Sequence, residues 1–424
     1  MEMLDEILTR ENLNKAYKRV YANKGVGGVD GVTVEELLSY LKMHKAELLE
    51  SIRTRKYKPQ PVLGIEIPKE SGGKRQLGIP TVVDRVIQQA IAQVLTPIYE
   101  KQFSKSSYGF RPGRSCEQAV LKSLELINDG YDWIIDIDLE RFFDTVHHDR
   151  LMNIISRTIK DGDVISLIRK FLVSGIMKQG KYEDTDIGTP QGGPLSPLLS
   201  NIMLNELDKE LEARGLNFVR YADDCNIFVK SEMSANRVMK SISDFIERKL
   251  GLKVNITKSK VGKPTEIKFL GFGYFKDKEG TWHCKPHQKS VLKLKRKLKA
   301  LTKRRWSIAL DVRLQKLKQL IVGWVNYFRI AKMKSVLTAL DQKLRKRIRV
   351  IIWKQWKIFT KRYESLRKLG ATHRNAYLTA NCRKGYQYVC GTATIHVALS
   401  NQRLQQRGLT SLLDHFQKVH LVTN

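Results

Sequence analysis

The 424-residue sequence predicts an α+β fold: strand-like and helix-like segments interleave as far as Lys276, and from Lys289 onward long basic helices dominate. Three observations carry this expectation. Short runs such as Trp133-Ile134-Ile135-Asp136-Ile137-Asp138 alternate with period two, as a half-buried strand does. Between them lie stretches whose apolar residues recur at helical spacing, punctuated by Gly- and Pro-rich connections. The texture then changes between about residues 277 and 289, which marks a domain boundary. A hydrophobic content of 42% is that of a globular protein, and the length has room for two to four domains with a sizeable core.

Taken in order, a helix is expected from about Leu4 to Ala22, followed by a connection with Gly25, Gly27, Gly28 and Gly31. Thr33-Val34-Glu35-Glu36 has the form of a capping box and opens a second helix, which stops before Pro59. Val62 to Lys69 and Lys74 to Ile79 flank the Ser71-Gly72-Gly73 turn as a hairpin with Lys69, Lys74 and Arg75 near its tip. Those cations suit a triphosphate or the protection of an edge strand. A helix from about Asp84 to Leu95, a Ser107-Tyr108-Gly109-Phe110-Arg111-Pro112 loop, the strand ending at Asp138 and a helix starting near His148 follow. Ser196 is a candidate N-cap and Pro197 the first residue of a helix that leaves the Gly188–Pro197 loop and ends near Gly215. Phe218-Val219-Arg220 and Asn226-Ile227-Phe228-Val229 then bracket Tyr221-Ala222-Asp223-Asp224 as a hairpin with two carboxylates at its tip. A helix from about Ser234 to Leu250 and a short apolar run, Phe269 to Tyr274, complete this part. Beyond it, Val291, Leu294, Leu298 and Leu301 trace one basic amphipathic helix, Leu314, Leu317, Ile321 and Trp324 a second, and a third spans roughly Val336 to Tyr363.

Composition narrows the function. The net charge is +33, and residues 281–424 hold 33 Lys+Arg against 4 Asp+Glu, whereas the first 280 residues hold 43 against 39. A nearly neutral body with a strongly basic last third points to a polyanion, nucleic acid above all. Five widely spaced cysteines without a C-x-x-C pair read as reduced thiols of a cytosolic protein. Residues 187–205 are uncharged but contain three prolines and three glycines, which excludes a membrane helix, and the acidic start lacks the pattern of a signal or transit peptide. His283, Cys284 and His287 lack a fourth ligand at close spacing for zinc, and Asp311, Asp341, Glu364 and Asp414 are too scattered for a nuclease cluster.

Adjacent aspartates serve one site only where a tight turn re-aims one of them, and an isolated Asp-Asp is ordinary turn chemistry. What changes its weight is a second carboxylate source, the strand ending at Asp138. Converging carboxylates from separate elements are what Mg2+ needs in order to clamp the attacking and leaving oxygens of a phosphoryl displacement. Alternation puts Asp136 and Asp138 on one face and leaves open which of them takes part.

The strand Ile135-Asp136-Ile137-Asp138 leading to Phe142-Phe143-Asp144, the loop Gly188-Thr189-Pro190-Gln191-Gly192-Gly193-Pro194-Leu195-Ser196-Pro197 and the Tyr221-Ala222-Asp223-Asp224 turn resemble three successive motifs of group II intron-encoded reverse transcriptases. Tyr108-Gly109-Phe110-Arg111-Pro112, Phe269-Leu270-Gly271-Phe272 and Val397-Ala398-Leu399-Ser400-Asn401 resemble further family segments in the same order, so the resemblance covers nearly the whole chain. It implies a right-hand polymerase with fingers, an antiparallel-sheet palm and a helical thumb. The parts expected are an N-terminal helical extension (1–60), fingers and palm (61–280), a thumb or maturase region (281–380) and a C-terminal nucleic-acid-binding region (381–424). The small type without an endonuclease is indicated.

By the same resemblance Asp138, Asp223 and Asp224 hold two Mg2+ ions, and Asp138 is favoured over Asp136. Phe143 is the aromatic gate against a 2′-hydroxyl, for which a bulky ring leaves neither room nor a hydrogen-bond partner. Lys69 and Arg75 hold the triphosphate of the incoming dNTP, Gln191 and Gly192 lie near the nascent base pair, and Lys258 is a proton donor to pyrophosphate. Nucleic acid is expected on Arg111, Lys293, Arg296, Lys297, Arg304, Arg305, Arg345 and Arg347. The implied function is RNA-directed DNA polymerisation by a cytoplasmic bacterial protein. It binds its group II intron RNA as a splicing maturase, and it copies an RNA template from a DNA primer for intron mobility. The alternatives are an RNA-binding maturase with a relic polymerase site, or another bacterial reverse transcriptase of the retron or defence-associated kind.

Overall fold

The structure, a computed structural model, describes residues 2–68, 72–189 and 192–420, without the side chain of Arg75. Two compact units meet in sequence at Lys263 and Pro264.

The first unit opens with α1 (Met3–Ile7) and α2 (Arg10–Ala22), where the sequence reads as one helix. Thr9 divides them because its backbone is extended and its hydroxyl accepts the Asn12 N–H, capping α2. Thr33 and Glu36 do exchange the reciprocal bonds of a capping box, and α3 (Leu37–Arg53) starts just after them. β1 (Val62–Pro68) and β2 (Lys74–Ile79) form the expected antiparallel hairpin, with Leu63 opposite Ile79 and Pro68 opposite Lys74. α4 (Val82–Glu100) is longer than its sequence signal and buries Val86, Ile87, Ala90, Ile91 and Leu95 in the centre of the core. α5 (Cys116–Asn128), β3 (Trp133–Ile137), α6 (Phe142–Thr145), α7 (His148–Thr158), α8 (Gly162–Leu172), β4 (Ile176–Lys178) and β5 (Lys181–Glu183) follow. α9 (Ser196–Ala213) starts one residue earlier than expected, because Leu195 already has helical angles; Ser196 is therefore its first residue and not its cap. β6 (Asn217–Tyr221) and β7 (Asp224–Val229) make the carboxylate-tipped hairpin. α10 (Glu232–Phe245) runs into a π-helical turn over Ile246–Leu250, and β8 (Lys260–Gly262) closes the unit.

These strands build two four-stranded sheets. One has the order β2-β1-β4-β5, with β1 parallel to β4. The other, β6-β7-β3-β8, is antiparallel throughout, and β3 lies inside it between β7 and β8. Ile135 and Ile137 of β3 and Cys225, Ile227 and Val229 of β7 join the main core, packed with α4, α9 and α10. Alternation therefore sends Asp136 and Asn226 to the opposite face.

The second unit begins with a 3-10 turn over Pro264–Glu266 and a hairpin of β9 (Phe272–Lys276) and β10 (Trp282–Pro286). Helices follow: α11 (Gln288–Leu301), α12 (Leu310–Tyr327), α13 (Lys334–Gln355), α14 (Phe359–Lys368), α15 (His373–Ala380), α16 (Tyr386–Val389), α17 (Ala393–Ala398), α18 (Asn401–Gln406) and α19 (Leu412–Val419). The helix expected to reach Tyr363 stops at Gln355: Trp356 leaves the helical region at ψ 73°, and its carbonyl accepts the Arg362 Nε–H. Asp341 is buried on α13, where its carboxylate accepts from the Ser411 hydroxyl and the Leu412 and Leu413 N–H groups at 2.8–2.9 Å, holding the N-terminus of α19. Among the described residues no helix is long and apolar enough to cross a membrane.

Candidate active site

β3 pairs with β7 so that Asp136 faces Asn226 and Ile137 faces Cys225. One step further in that register Asp138 comes abreast of Asp224. Tyr221 pairs with Asp224, so Ala222 and Asp223 are the two residues of the hairpin turn. Ala222 has φ +57°, the positive value that two-residue hairpin turns require at their first position, and Ala tolerates it less well than Gly. The turn thus puts Asp223 at the tip of the hairpin, next to Asp224.

The ambiguity between Asp136 and Asp138 has a physical side. Asp136 lies between Asn226 and Lys260 in the sheet, and burial pushes its carboxyl up to about 6; nearby Lys260 opposes that rise and Asp138 adds to it. Asp138 lies past the ladder with its side chain 40% exposed. The segment after α10 holds its backbone, the Asn255 N–H donating to the Asp138 carbonyl at 2.8 Å and the Asp138 N–H to the Ser259 hydroxyl at 3.0 Å. That segment also brings the Lys258 Nζ to 3.7 Å from Asp138 Oδ2, which places the expected proton donor beside the carboxylates.

Among the described residues no three of His, Cys, Asp and Glu gather into a metal-holding cluster. The carboxylates here are hard oxygen donors on an open cleft, and Mg2+ commonly takes one or two such groups and completes its shell with water and substrate phosphates. The donor set fits that mode and not a closed all-protein cage.

Arg220 fixes the turn. It is fully buried, and each of its five N–H groups has an acceptor: Nε and one terminal nitrogen bond the Asp208 carboxylate of α9 at 2.7 and 2.5 Å. The remaining three reach Asn201 Oδ1 at 3.1 Å, the Ser107 hydroxyl at 2.8 Å and the Ala222 carbonyl at 2.8 Å. The last of these bonds ties the residue before Asp223 to the core helix. Neither Arg220 nor Asp208 was expected from the sequence, although each carried a signal: a charge in the apolar run Phe218-Val219-Arg220, and another on the apolar face of α9.

Phe143 lines the same cavity as Asp223. Arg141 turns the chain at φ +47° into α6, and the Phe143 ring packs edge-on to Phe142 at 5.2 Å. Its carbonyl accepts the Thr189 N–H at 2.6 Å, while the Gly188 N–H bonds the Val146 carbonyl, so the glycine loop clamps the short helix that carries the ring. Phe143, Asp223, Gly192 and Gly193 line one cavity of about 700 Å³, together with Gly78 of β2 and Arg19 of α2. At Gly192 a Cβ would lie 2.6 Å from the Gly78 carbonyl, so only glycine lets the loop approach the hairpin. Lys69 and Gln191 lie outside the described residues, and of Arg75 only the backbone, paired with Ile67, is described.

The expected nucleic-acid contacts separate. Arg111 is not presented to a partner: its guanidinium is 5% exposed and bonds Glu100 and the carbonyls of Ser104 and Ser107, so it holds its own loop together. Arg347 likewise turns inward, to the Thr302 hydroxyl and the Lys299 and Thr302 carbonyls. Lys293, Arg296 and Lys297 are exposed along α11, as are Arg304 and Arg305 after it, while Arg345 is half-buried on α13. A cavity of about 360 Å³ is lined by Lys303, Arg304, Arg305 and Arg347. His283 bonds Asp277 and Lys332, Cys284 is buried, and His287 caps α11, so each of the trio has a part in the fold around the β9–β10 hairpin.

Residues 67–274 match the family described as reverse transcriptase (RNA-dependent DNA polymerase), and residues 291–370 match the group II intron, maturase-specific domain. The chain is similar to Protein YkfC of Escherichia coli (strain K12), with 33% identity over 299 residues, 61% of this chain and 78% of that protein. It is also similar to the group II intron-encoded protein LtrA of Lactococcus lactis subsp. cremoris, with 39% identity over 217 residues, 49% of this chain but 36% of LtrA. A solved telomerase from Candida albicans, in complex with a fragment of telomeric RNA, aligns over 92% of this chain and 69% of its own at 13% identity and a TM-score of 0.46.

Proposed function

We infer the working of the site from the premise that the chain belongs to the group II intron-encoded reverse transcriptases, RNA-directed DNA polymerases that carry a maturase region. In this reading Asp138 and Asp223 are the principal cation ligands and Asp224 the third carboxylate. The observation that supports it most is the sheet register, which brings Asp138 abreast of Asp224 beside the Ala222–Asp223 turn. Asp138, Asp223 and Asp224 would hold two Mg2+ ions, whose charge would favour attack by the primer 3′-hydroxyl and departure of pyrophosphate. The chain's own residues orient and select. Lys69 and Arg75 hold the triphosphate as charge-assisted partners, and Gln191 and Gly192 bound the nascent base pair. Phe143 fills the space that a 2′-hydroxyl would need. Lys258 passes a proton to the leaving pyrophosphate, a role supported by its 3.7 Å approach to Asp138.

The substrates are then an RNA template with a DNA primer and dNTPs. The N-terminal helices and the exposed cations of α11 and the segment after it bind group II intron RNA for splicing, and primer extension at a cleaved target supports mobility. Purified protein is expected to extend a DNA primer on an RNA template with dNTPs and Mg2+. Asp223→Ala should abolish extension and leave intron-RNA affinity unchanged. A wild type that binds intron RNA tightly and extends nothing would instead mark the polymerase site as a relic.

A further inference from the structure

The loop between α4 and α5 is fixed at nearly every residue. At Gly109 a Cβ would come within 2.2 Å of the Ala222 nitrogen, so the loop backbone lies directly against the carboxylate-bearing turn. The Tyr108 N–H donates to the Arg220 carbonyl at 2.8 Å, Asn201 Nδ2 donates to the Gly109 carbonyl at 2.8 Å, and Arg111 is locked as described. Between these anchors Phe110 is held at φ +58°, a left-handed backbone that bulky residues rarely adopt. The residue is 54% exposed and lines the cavity shared with Phe143 and Asp223. Glycine would avoid both the strain and the exposed apolar surface. A strained, presented ring beside reactive carboxylates points to a partner outside the chain.

We infer that Phe110 is a contact residue for the primer–template duplex, its ring packing against the sugars and bases next to the growing end. This rests on the polymerase reading of the site. The duplex fits better than the incoming nucleotide because the loop that presents the ring also carries cations: Lys105 is exposed, and Arg114 lies 5.2 Å over the Tyr108 ring and donates to the Lys105 carbonyl. Flat apolar surfaces bordered by phosphates repeat along a strand, and an exposed aromatic residue on a cation-bearing loop matches that repeat.

The test measures binding of a labelled DNA primer on an RNA template, with wild-type protein extending the same duplex as the control. A wild type that neither binds nor extends it defeats the polymerase reading itself. With the wild type active, Phe110→Gly should weaken duplex binding roughly tenfold. Its thermal midpoint should equal or exceed that of the wild type, because the strain is gone. The slope of log affinity against log salt should not change, since no charge is removed. Phe110→Leu, which keeps apolar bulk, should recover most of the affinity, and the KM for dNTP at saturating duplex should stay at the wild-type value in both variants. Wild-type duplex affinity in Phe110→Gly, an effect confined to the dNTP KM, or a lowered thermal midpoint that accounts for the weakened binding would each overturn the assignment.

Discussion

Two aspartates on one strand face differ here by position alone. Asp136 sits within the sheet, where burial raises its carboxyl to about 6, whereas Asp138 stands past the last ladder pair, partly exposed and within reach of Lys258. A cation ligand needs the second environment, because a group that holds its proton more firmly is the poorer anion. Phe143 follows the same logic of fixed position. Its backbone is clamped by Thr189 and its ring by Phe142, so the ring cannot swing aside to admit an extra hydroxyl. Phe143→Ala should therefore lower the preference for dNTP over ribonucleotide, measured as the ratio of kcat/KM values, by about a hundredfold. Primer extension with dNTPs should persist. Unchanged sugar discrimination would remove the gate role from this residue.

At the scale of elements, the site depends on how β6 is tied to α9. Arg220 carries that tie through Asp208, Asn201 and the Ala222 carbonyl, and lysine cannot reproduce a planar fork with five donors. Arg220→Lys should leave a folded protein, less stable by about 2 kcal/mol, well short of the ~3–5 kcal/mol for removing one partner of a buried pair. Its kcat should drop about a hundredfold, as small displacements of catalytic groups do, and its half-saturating Mg2+ concentration should rise. Duplex affinity and dNTP KM should hold. A folded variant with wild-type kcat would show that the pair serves stability alone. Such ties explain what the sequence could and could not disclose. β3, β6 and β7 were legible because alternation and a turn between apolar runs are local signals. β4 and β5 are three residues each, and all of β5 is exposed; pairing of Val62 with Ile176 makes this region a sheet, and no local pattern records that. α5, by contrast, carries a local signal, the complete capping box of Ser115 and Gln118. Arg111 misled for the opposite reason: a lone cation in a loop looks like a phosphate ligand until its partly buried partner, Glu100, is seen across 11 residues.

Across the whole molecule the charge division has a measurable consequence. Residues 281–424 carry 33 cations against 4 acids, and of those acids Asp341 is spent on capping α19 and Asp414 accepts from Gln405. Acids are scarce in this third, and Lys293, Arg296 and Lys297 lie exposed on one face of α11, where phosphate is the natural counter-charge. Binding by such a face releases condensed counterions and weakens steeply with salt. Replacing all three by glutamine should weaken intron-RNA binding and reduce the slope of log affinity against log salt by about 0.7 for each phosphate no longer neutralised, roughly 2 in total for single-stranded segments. The helix should survive, because Val291, Leu294 and Leu298, which bury its other face, are untouched. The kcat for primer extension at saturating template should not move, since none of the three lines the cavity that holds Phe143 and Asp223. A wild-type salt slope in the triple variant would mean that α11 presents its charge to water alone, and that RNA is held by other cations of the last third.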